Sequence, residues 1–123
     1  DGTVTYGTLG SNTAKSTCTS ELSDLQTVTN DGNIAETFNI KGQNSANWTL
    51  AGTVGSDQYK HEFKNATCST FSAGTALTTS YQALATNVAA SGTTNLNLQI
   101  TTPNPSTVYT QQSVDIIVQA VAY

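Results

Sequence analysis

The chain has 123 residues, of which only 10% are charged, and its formal net charge is −4. This length suits one domain with one hydrophobic core. The acidic balance argues against a nucleic-acid partner, which requires a basic footprint, and against binding to an anionic membrane surface. No apolar run is long enough to span a bilayer, so we expect no membrane insertion.

Threonine, serine, asparagine and glutamine supply most of the polar surface, and threonine fits the half-exposed face of a β-strand. Such a composition, combined with sustained apolar alternation, is typical of extracellular β-proteins. The chain contains no methionine and begins at Asp1. We therefore expect a mature product whose signal peptide has been removed, located outside the cell or at the cell surface.

Residues 1–10, DGTVTYGTLG, predict a short strand between glycines, with Val4 and Tyr6 on one face. Residues 11–21 are polar and lack any period, which indicates a linker that carries Cys18. The only other cysteine is Cys68, and two cysteines without a neighbouring histidine do not make a zinc site. In an exported chain they predict one disulfide, closing a loop of about 50 residues and contributing roughly 4 kcal/mol. The alternative is a pair of buried free thiols in a cytoplasmic protein.

Residues 22–123 are predicted to form a β-sandwich domain. Its first strand alternates imperfectly, with Leu25 and Val28 expected to be buried, and ends at the turn sequence NDGN of residues 30–33. Because tryptophan is the largest apolar side chain, we expect the core to be built around Trp48, the only one. Further strands are predicted at residues 34–41, 48–54, 58–64, 76–85, 93–102 and 112–123. For residues 76–85 the alternative is a short helical turn around residues 81–85.

Two of these strands alternate cleanly. In residues 58–64, the side chains of Tyr59, His61 and Phe63 share one face. In residues 93–102, Leu96, Leu98 and Ile100 are expected to face inward, and Asn95, Asn97, Gln99 and Thr101 outward. The closing strand is apolar on both faces, which fits a central strand or a covered edge strand. Strands at intervals of roughly 8–12 residues with turns between them predict an all-β fold, a single antiparallel β-sandwich.

Three motifs in this region resemble a known family. They are the NDGN turn of residues 30–33, the WTL of residues 48–50 and the closing QQSVDIIVQAVAY. Together they resemble exported bacterial and archaeal β-sandwich proteins near the TasA and camelysin group of biofilm-matrix fibre proteins, and the related archaeal bundling pili. The resemblance covers about residues 25–123.

This resemblance implies a jelly-roll-like sandwich that polymerises by donor-strand exchange, so that the partners are copies of the same chain. An added strand satisfies an open sheet edge and places alternate side chains in pockets. A head-to-tail contact that does not close makes a helical filament. Here residues 1–10 would supply the donor strand, and Val4 and Tyr6 would be its inserted side chains. The assembly residues would be Thr3, Val4, Thr5, Tyr6 and Leu9. The alternative is an ordinary first strand within its own sandwich.

No catalytic motif is evident, and we expect no enzyme activity. His61 stands between Lys60 and Glu62 and is interpreted as structural, because no nucleophile or orienting carboxylate accompanies it. The acidic residues are scattered and form neither a glycosidase-like pair nor a calcium loop. We therefore predict no catalytic residue, no metal ligand and no cofactor. A Ca²⁺ site assembled from distant loops stays open as an alternative.

Asn47 and Asn65 begin N-glycosylation sequons and are candidate sites for covalent glycans. Asn65 is the better candidate, since Asn47 precedes the expected core tryptophan. The alternative function is a monomeric secreted carbohydrate-binding or adhesive β-sandwich. The placement of Trp48, Phe38 and Phe63 on apolar faces disfavours that function, because a sugar-binding platform needs exposed aromatic rings.

Overall fold

Alternating threonine-rich segments separated by turns fold into two packed β-sheets, which confirms the predicted all-β sandwich. The computed structural model describes residues 2–123; Asp1, the first residue of the predicted donor segment, lies outside the described residues. No described residue is helical. The strands are β1 (Ala14–Ser16), β2 (Gln26–Thr29), β3 (Glu36–Lys41), β4 (Thr49–Leu50), β5 (Gln58–Lys64), β6 (Thr75–Ala76), β7 (Gln82–Val88), β8 (Thr93–Thr101) and β9 (Ile117–Ala122).

The larger sheet has six strands and is centred on the antiparallel pair β5 and β8, in which His61 lies opposite Ile100. Strands β1 and β2 both pair with β8, and β4 and β6 both pair with β5. The smaller sheet has three antiparallel strands in the order β7-β3-β9. Within the described chain, β9 pairs only with β3, so the closing strand is an edge strand and not a central one.

The hydrophobic core lies between the two sheets. Phe38 and Ile40 of β3 face Tyr59 and Phe63 of β5 and Leu98 of β8, and all five are buried. The inward placement predicted for Tyr59, Phe63 and Leu98 is therefore confirmed. Burying an aromatic or branched aliphatic side chain contributes about 1.5–3 kcal/mol, so these residues dominate the contact between the sheets.

Two predictions about buried residues are wrong. Trp48 is only half-buried at the margin of the core, where its indole Nε1 donates to Ser106 Oγ at 3.1 Å. Leu25 is 41% exposed, whereas Gln26 is buried. The register explains this, because Gln26 lies opposite the inward-facing Leu96, which turns the preceding residue outward.

Residues 11–21, predicted as a linker, contribute to the larger sheet instead. They contain β1, and buried Thr17 donates through Oγ1 to Asn97 Oδ1 at 2.8 Å. Asn97, expected to face solvent, is also buried, and its Nδ2 donates to the Ala66 carbonyl at 2.7 Å. Polar side chains can be buried when they are hydrogen-bonded, and apolar periodicity does not reveal such residues.

The predicted disulfide between Cys18 and Cys68 is confirmed. It closes a sequence separation of 50 residues, with the two Cα atoms 5.1 Å apart. The backbone N–H groups of Thr19 and Ser20 donate to the carbonyls of Cys68 and Ser69 at 3.1 and 3.0 Å. The bridge therefore fastens the β1–β2 connection to the β5–β6 connection.

Three predicted strands are shorter than expected or divided. Residues 76–85 contain the end of β6 and the start of β7, with a turn between them in which Thr78 Oγ1 donates to the Ser80 carbonyl. Of residues 48–54, only Thr49–Leu50 pair. Residues 112–116 precede β9 without joining a strand ladder.

Candidate assembly groove

One side of the sandwich opens as a groove of ≈ 1400 Å³. Two stretches outside any strand ladder border it, and we call them the N-terminal segment (residues 2–10) and the strap (residues 106–116). The floor is the inner face of the larger sheet, lined by Leu96, Leu98, Ile100, Tyr59 and His61. Along β5 and β8 the floor is thus apolar apart from two ring side chains.

The N-terminal segment follows β8 across its inner face. At its start, the Gly2 N–H donates to Gln26 Oε1 at 3.0 Å, and Gln26 lies beside the first half of β8. In its middle, the Tyr6 hydroxyl lies 2.9 Å from His61 Nε2. At its end, Thr102 Oγ1 donates to the Gly10 carbonyl at 2.6 Å.

The segment is held by side chains and not by a ladder. Val4 and Tyr6 are half-buried, whereas Thr3 and Thr5 are exposed, as the predicted alternation requires. Leu9 is also half-buried, but it lies beyond Gly7 and does not follow that alternation. No backbone hydrogen bond joins residues 4–9 to the rest of the described chain. Gly7 has φ 76°, in the left-handed region that interrupts an extended strand. The structure therefore places all five predicted assembly residues in one segment, but that segment is not a strand.

Tyr6 and His61 form the polar centre of the groove. His61 is 2% exposed, its Nδ1 has no hydrogen-bond partner, and burial lowers its pKa to about 4. Burial raises the pKa of the Tyr6 hydroxyl well above its usual value, and the negative charge of Asp24 raises it further. Burial also raises the pKa of Tyr59 to about 12, and its hydroxyl donates to the Gln43 carbonyl at 2.5 Å. All three rings are therefore uncharged at neutral pH.

The strap is held mainly by two side-chain clamps. Thr107 donates from its N–H and its Oγ1 to the two carboxylate oxygens of Asp57, at 2.8 and 2.6 Å. These bonds lower the pKa of Asp57. Further along, Gln112 Oε1 accepts from Ser45 Oγ at 2.6 Å. The strap then packs two half-buried side chains against the core, Val114 and Ile116.

Sequence analysis did not identify Asp57, Gln112 or the partnership between Tyr6 and His61. Each contact joins residues 50 or more positions apart, so no local spacing could have indicated it. The only signal was the position of His61 on the apolar face of its predicted strand, since a buried polar ring requires a partner.

Both candidate glycosylation sites are exposed. The Nδ2 of Asn65, the atom to which a sugar would be attached, donates to the Leu84 carbonyl at 2.9 Å. The Oδ1 of Asn47 accepts from Gln112 Nε2 at 3.1 Å. Because Trp48 is not central to the core, the reason for preferring Asn65 over Asn47 no longer holds.

The described residues contain no group of three or more His, Cys, Asp or Glu side chains that could hold a metal ion. Residues 2–123 also include no helix of the length and apolarity needed to cross a membrane. In comparisons with known proteins, no family model matches this chain, and no curated protein or solved structure matches it significantly. The family resemblance therefore stays a prediction.

Proposed function

We propose that the chain is a structural subunit of an extracellular filament or pilus that polymerises by donor-strand complementation. The observation that carries this proposal is the open side of the sandwich. Among residues 2–123, β9 pairs only with β3 at the edge of the smaller sheet, and two segments without ladder bonds border the floor of the groove. Such a groove has the form expected of a sandwich that is completed by a strand from another copy.

In the N-terminal segment, the backbone N–H and C=O groups of residues 4–9 are available to pair with another copy of the chain. Within its own chain, residues 4–9 form no backbone hydrogen bonds with the rest of the described structure. An unpaired strand edge such as that of β9 presents a row of free N–H and C=O groups. A segment inserted as a true strand would gain about 0.5–1.5 kcal/mol for each hydrogen bond formed. Insertion into a neighbour can therefore be more favourable than the intramolecular arrangement.

The side chains of the segment suit this role. Val4 and Tyr6 would fill the neighbour's groove, and Thr3 and Thr5 would face away, as they do in the single chain. A segment that fills the groove of the next copy makes a head-to-tail contact, and such contacts generate an open filament when they do not close. The jelly-roll-like topology and the relation to the TasA and camelysin group belong to this proposal, supported by the sequence motifs.

An extracellular location is part of the same proposal. The disulfide between Cys18 and Cys68 is of a kind that persists in oxidising compartments. The exposure of Asn47 and Asn65 is compatible with covalent glycans in a host that attaches them. Neither feature depends on the groove, so both can be tested separately by mass spectrometry of the native product.

The test compares two substitutions of adjacent residues on opposite faces of the segment. Val4→Asp places a charge in the apolar groove, and Thr5→Asp places the same charge on the exposed face. We expect filaments from the unaltered chain and from the Thr5→Asp variant, and monomers from Val4→Asp, in negative-stain electron microscopy. Circular dichroism and thermal unfolding establish that the Val4→Asp sandwich is folded. A chain lacking residues 1–10 provides a second variant without a donor.

Filaments from all three full-length chains would move the assembling surface elsewhere and overturn the donor-strand mechanism. Monomers from all three would overturn the filament function itself.

A second candidate function is supported by aromatic residues that border the same groove. Tyr109 is 92% exposed and Trp48 is half-buried, and both line it. Exposed rings of this kind can stack against sugars, as in the carbohydrate-binding alternative. In a glycan screen on a monomeric chain, Tyr109→Ala should then abolish binding. Tyr123→Ala, at another exposed tyrosine that does not line the groove, should leave it intact.

A further inference from the structure

We propose that the contact between Tyr6 and His61 makes occupation of the groove depend on pH, holding the N-terminal segment at neutral pH and releasing it in acid. This goes beyond the structural role, because it assigns a regulatory function to a residue on the groove floor. The release can be measured in a single chain, whereas its consequence for assembly rests on the function proposed above.

The geometry fits only the uncharged imidazole well. In the neutral ring, Nε2 and the Tyr6 hydroxyl share one hydrogen bond across 2.9 Å, and the tautomer decides which of them donates. Protonation turns both ring nitrogens into donors, so the hydroxyl oxygen must then be the acceptor. Nδ1 has no partner in the groove, and its N–H would then belong to a buried cation. Burying a charged group without full hydrogen bonding is strongly unfavourable.

Among the described residues, no carboxylate forms a hydrogen bond or an ion pair with the His61 ring. From the N-terminal segment the facing titratable group is Tyr6, and from β5 it is Tyr59, whose ring centroid is 6.1 Å away. From β8 the cross-strand neighbour is the apolar Ile100. The smaller sheet contributes the apolar side chains Phe38 and Ile40 to the adjoining core.

The other charged groups described near this region form no hydrogen bond or ion pair with the His61 ring. Lys60 and Glu62 alternate with His61 on β5, and their side chains pair with each other at 3.0 Å. Asp24 accepts from Gln26 Nε2 at 2.8 Å, and on the strap Asp115 is exposed. A cation at His61 therefore has no counterion in contact, and departure of the segment is the available way to hydrate it.

The direction of the pH effect follows from linkage. Burial lowers the pKa of His61 to about 4 when the segment is in place, against an ordinary value of 6.5. Once the segment leaves and water reaches the ring, the pKa returns toward the ordinary value. The equilibrium constant for seating the segment in the groove is therefore highest above pH 6.5. It falls about tenfold per pH unit as the pH drops from 6.5 toward 4. The total loss is roughly 300-fold in the seating equilibrium.

The experiment uses the full chain and its single histidine, which gives one imidazole resonance. Nuclear magnetic resonance follows that resonance and the backbone relaxation of residues 2–10 from pH 7.5 to pH 4, with β8 as the internal reference. We expect residues 4–9 to become mobile below pH 6.5 while β8 stays rigid. His61→Gln, which does not titrate and retains an amide able to contact Tyr6, should keep the segment seated throughout.

Tyr6→Phe provides a second variant that keeps the ring and removes the hydroxyl. Loss of one hydrogen bond to a buried group weakens seating by about tenfold, so the midpoint of release should rise by about one pH unit. A segment that stays rigid at pH 4 in the unaltered chain would overturn the proposal. Release of the His61→Gln variant over the same pH range as the unaltered chain would also overturn it.

A parallel measurement separates this proposal from the filament function. If filaments form at pH 7.5, transfer to pH 4.5 should shorten those of the unaltered chain and leave those of His61→Gln intact. If no filaments form at any pH, only the assembly function fails, and the relaxation measurement still decides whether His61 controls the segment.

Discussion

Strand β8 has two kinds of neighbour, and they are held in different ways. Along its edges, β1, β2 and β5 pair with it through backbone ladders, and the Cys18–Cys68 bridge fastens the adjoining connections. Across its inner face, the N-terminal segment is held by side-chain contacts, centred on Tyr6. The first kind of contact is lost only when the sheet unfolds. The second can be lost while the sheet stays folded, so another segment can replace the N-terminal segment on this face of β8.

The largest effect is expected from removal of the disulfide, which should lower the stability of the strands that pair through backbone ladders. Replacing both Cys18 and Cys68 by serine releases a loop of 50 residues, which should lower the free energy of unfolding by about 4 kcal/mol. Urea unfolding followed by circular dichroism measures it, with Thr70→Ser, an exposed change near the bridge, as the control. The seating of the N-terminal segment in the folded fraction should not change. A loss below about 1 kcal/mol would show that the ladders alone hold this region.

A second, smaller effect is expected at Asn30, which is fully buried between two turns. Its Nδ2 donates to the carbonyls of Ile34 and Val88 at 2.8 Å each, and its Oδ1 accepts from the Gly32 N–H at 2.9 Å. Asn30→Ala removes three hydrogen bonds and should cost about 3 kcal/mol in unfolding free energy. Asn33→Ala, in the same turn but exposed, is the matched control and should cost no more than about 0.5 kcal/mol. Equal losses for the two variants would contradict the assignment.

The apolar faces of β3, β5 and β8 could be predicted because the apolar side chains of a strand recur at every second residue. Phe38, Phe63 and Leu98 are buried where that period placed them. The disulfide could also be predicted, since the chain has only two cysteines. These features depend on local pattern or composition alone.

The residues that sequence analysis missed depend on contacts between distant parts of the chain. Thr17 and Asn97 are buried because they bond to each other across 80 positions. Gln26 replaces Leu25 in the interior because the register of β2 on β8 turns it inward. Within residues 2–10, the predicted strand does not join a sheet, because Gly7 adopts a left-handed conformation and the contacts of this segment are made by side chains.

The smallest effect is expected at the clamp that holds the start of the strap. Asp57→Ala removes the acceptor of the Thr107 N–H and Oγ1, so the Thr107 amide should exchange with solvent several-fold faster. Global stability should change little, because both residues lie at the surface and the strap forms no ladder. Asp115→Ala, an exposed acid on the same strap, is the control and should leave the exchange of Thr107 unchanged.

The bonds between Asp57 and Thr107 should also weaken in acid. They should do so at a lower pH than the release of the N-terminal segment by His61. The pKa of Asp57 is lowered from its ordinary value of 3.8 by its bonds to Thr107. Its contribution is therefore fully present above pH 3.8 and is lost as the pH falls through the lowered value. Protection of the Thr107 amide, corrected for intrinsic exchange, should thus persist at pH 4.5, where the N-terminal segment is expected to be released. Loss of both at one pH would mean that the segment and the strap open together as one unit, and not as two independently held covers of the groove.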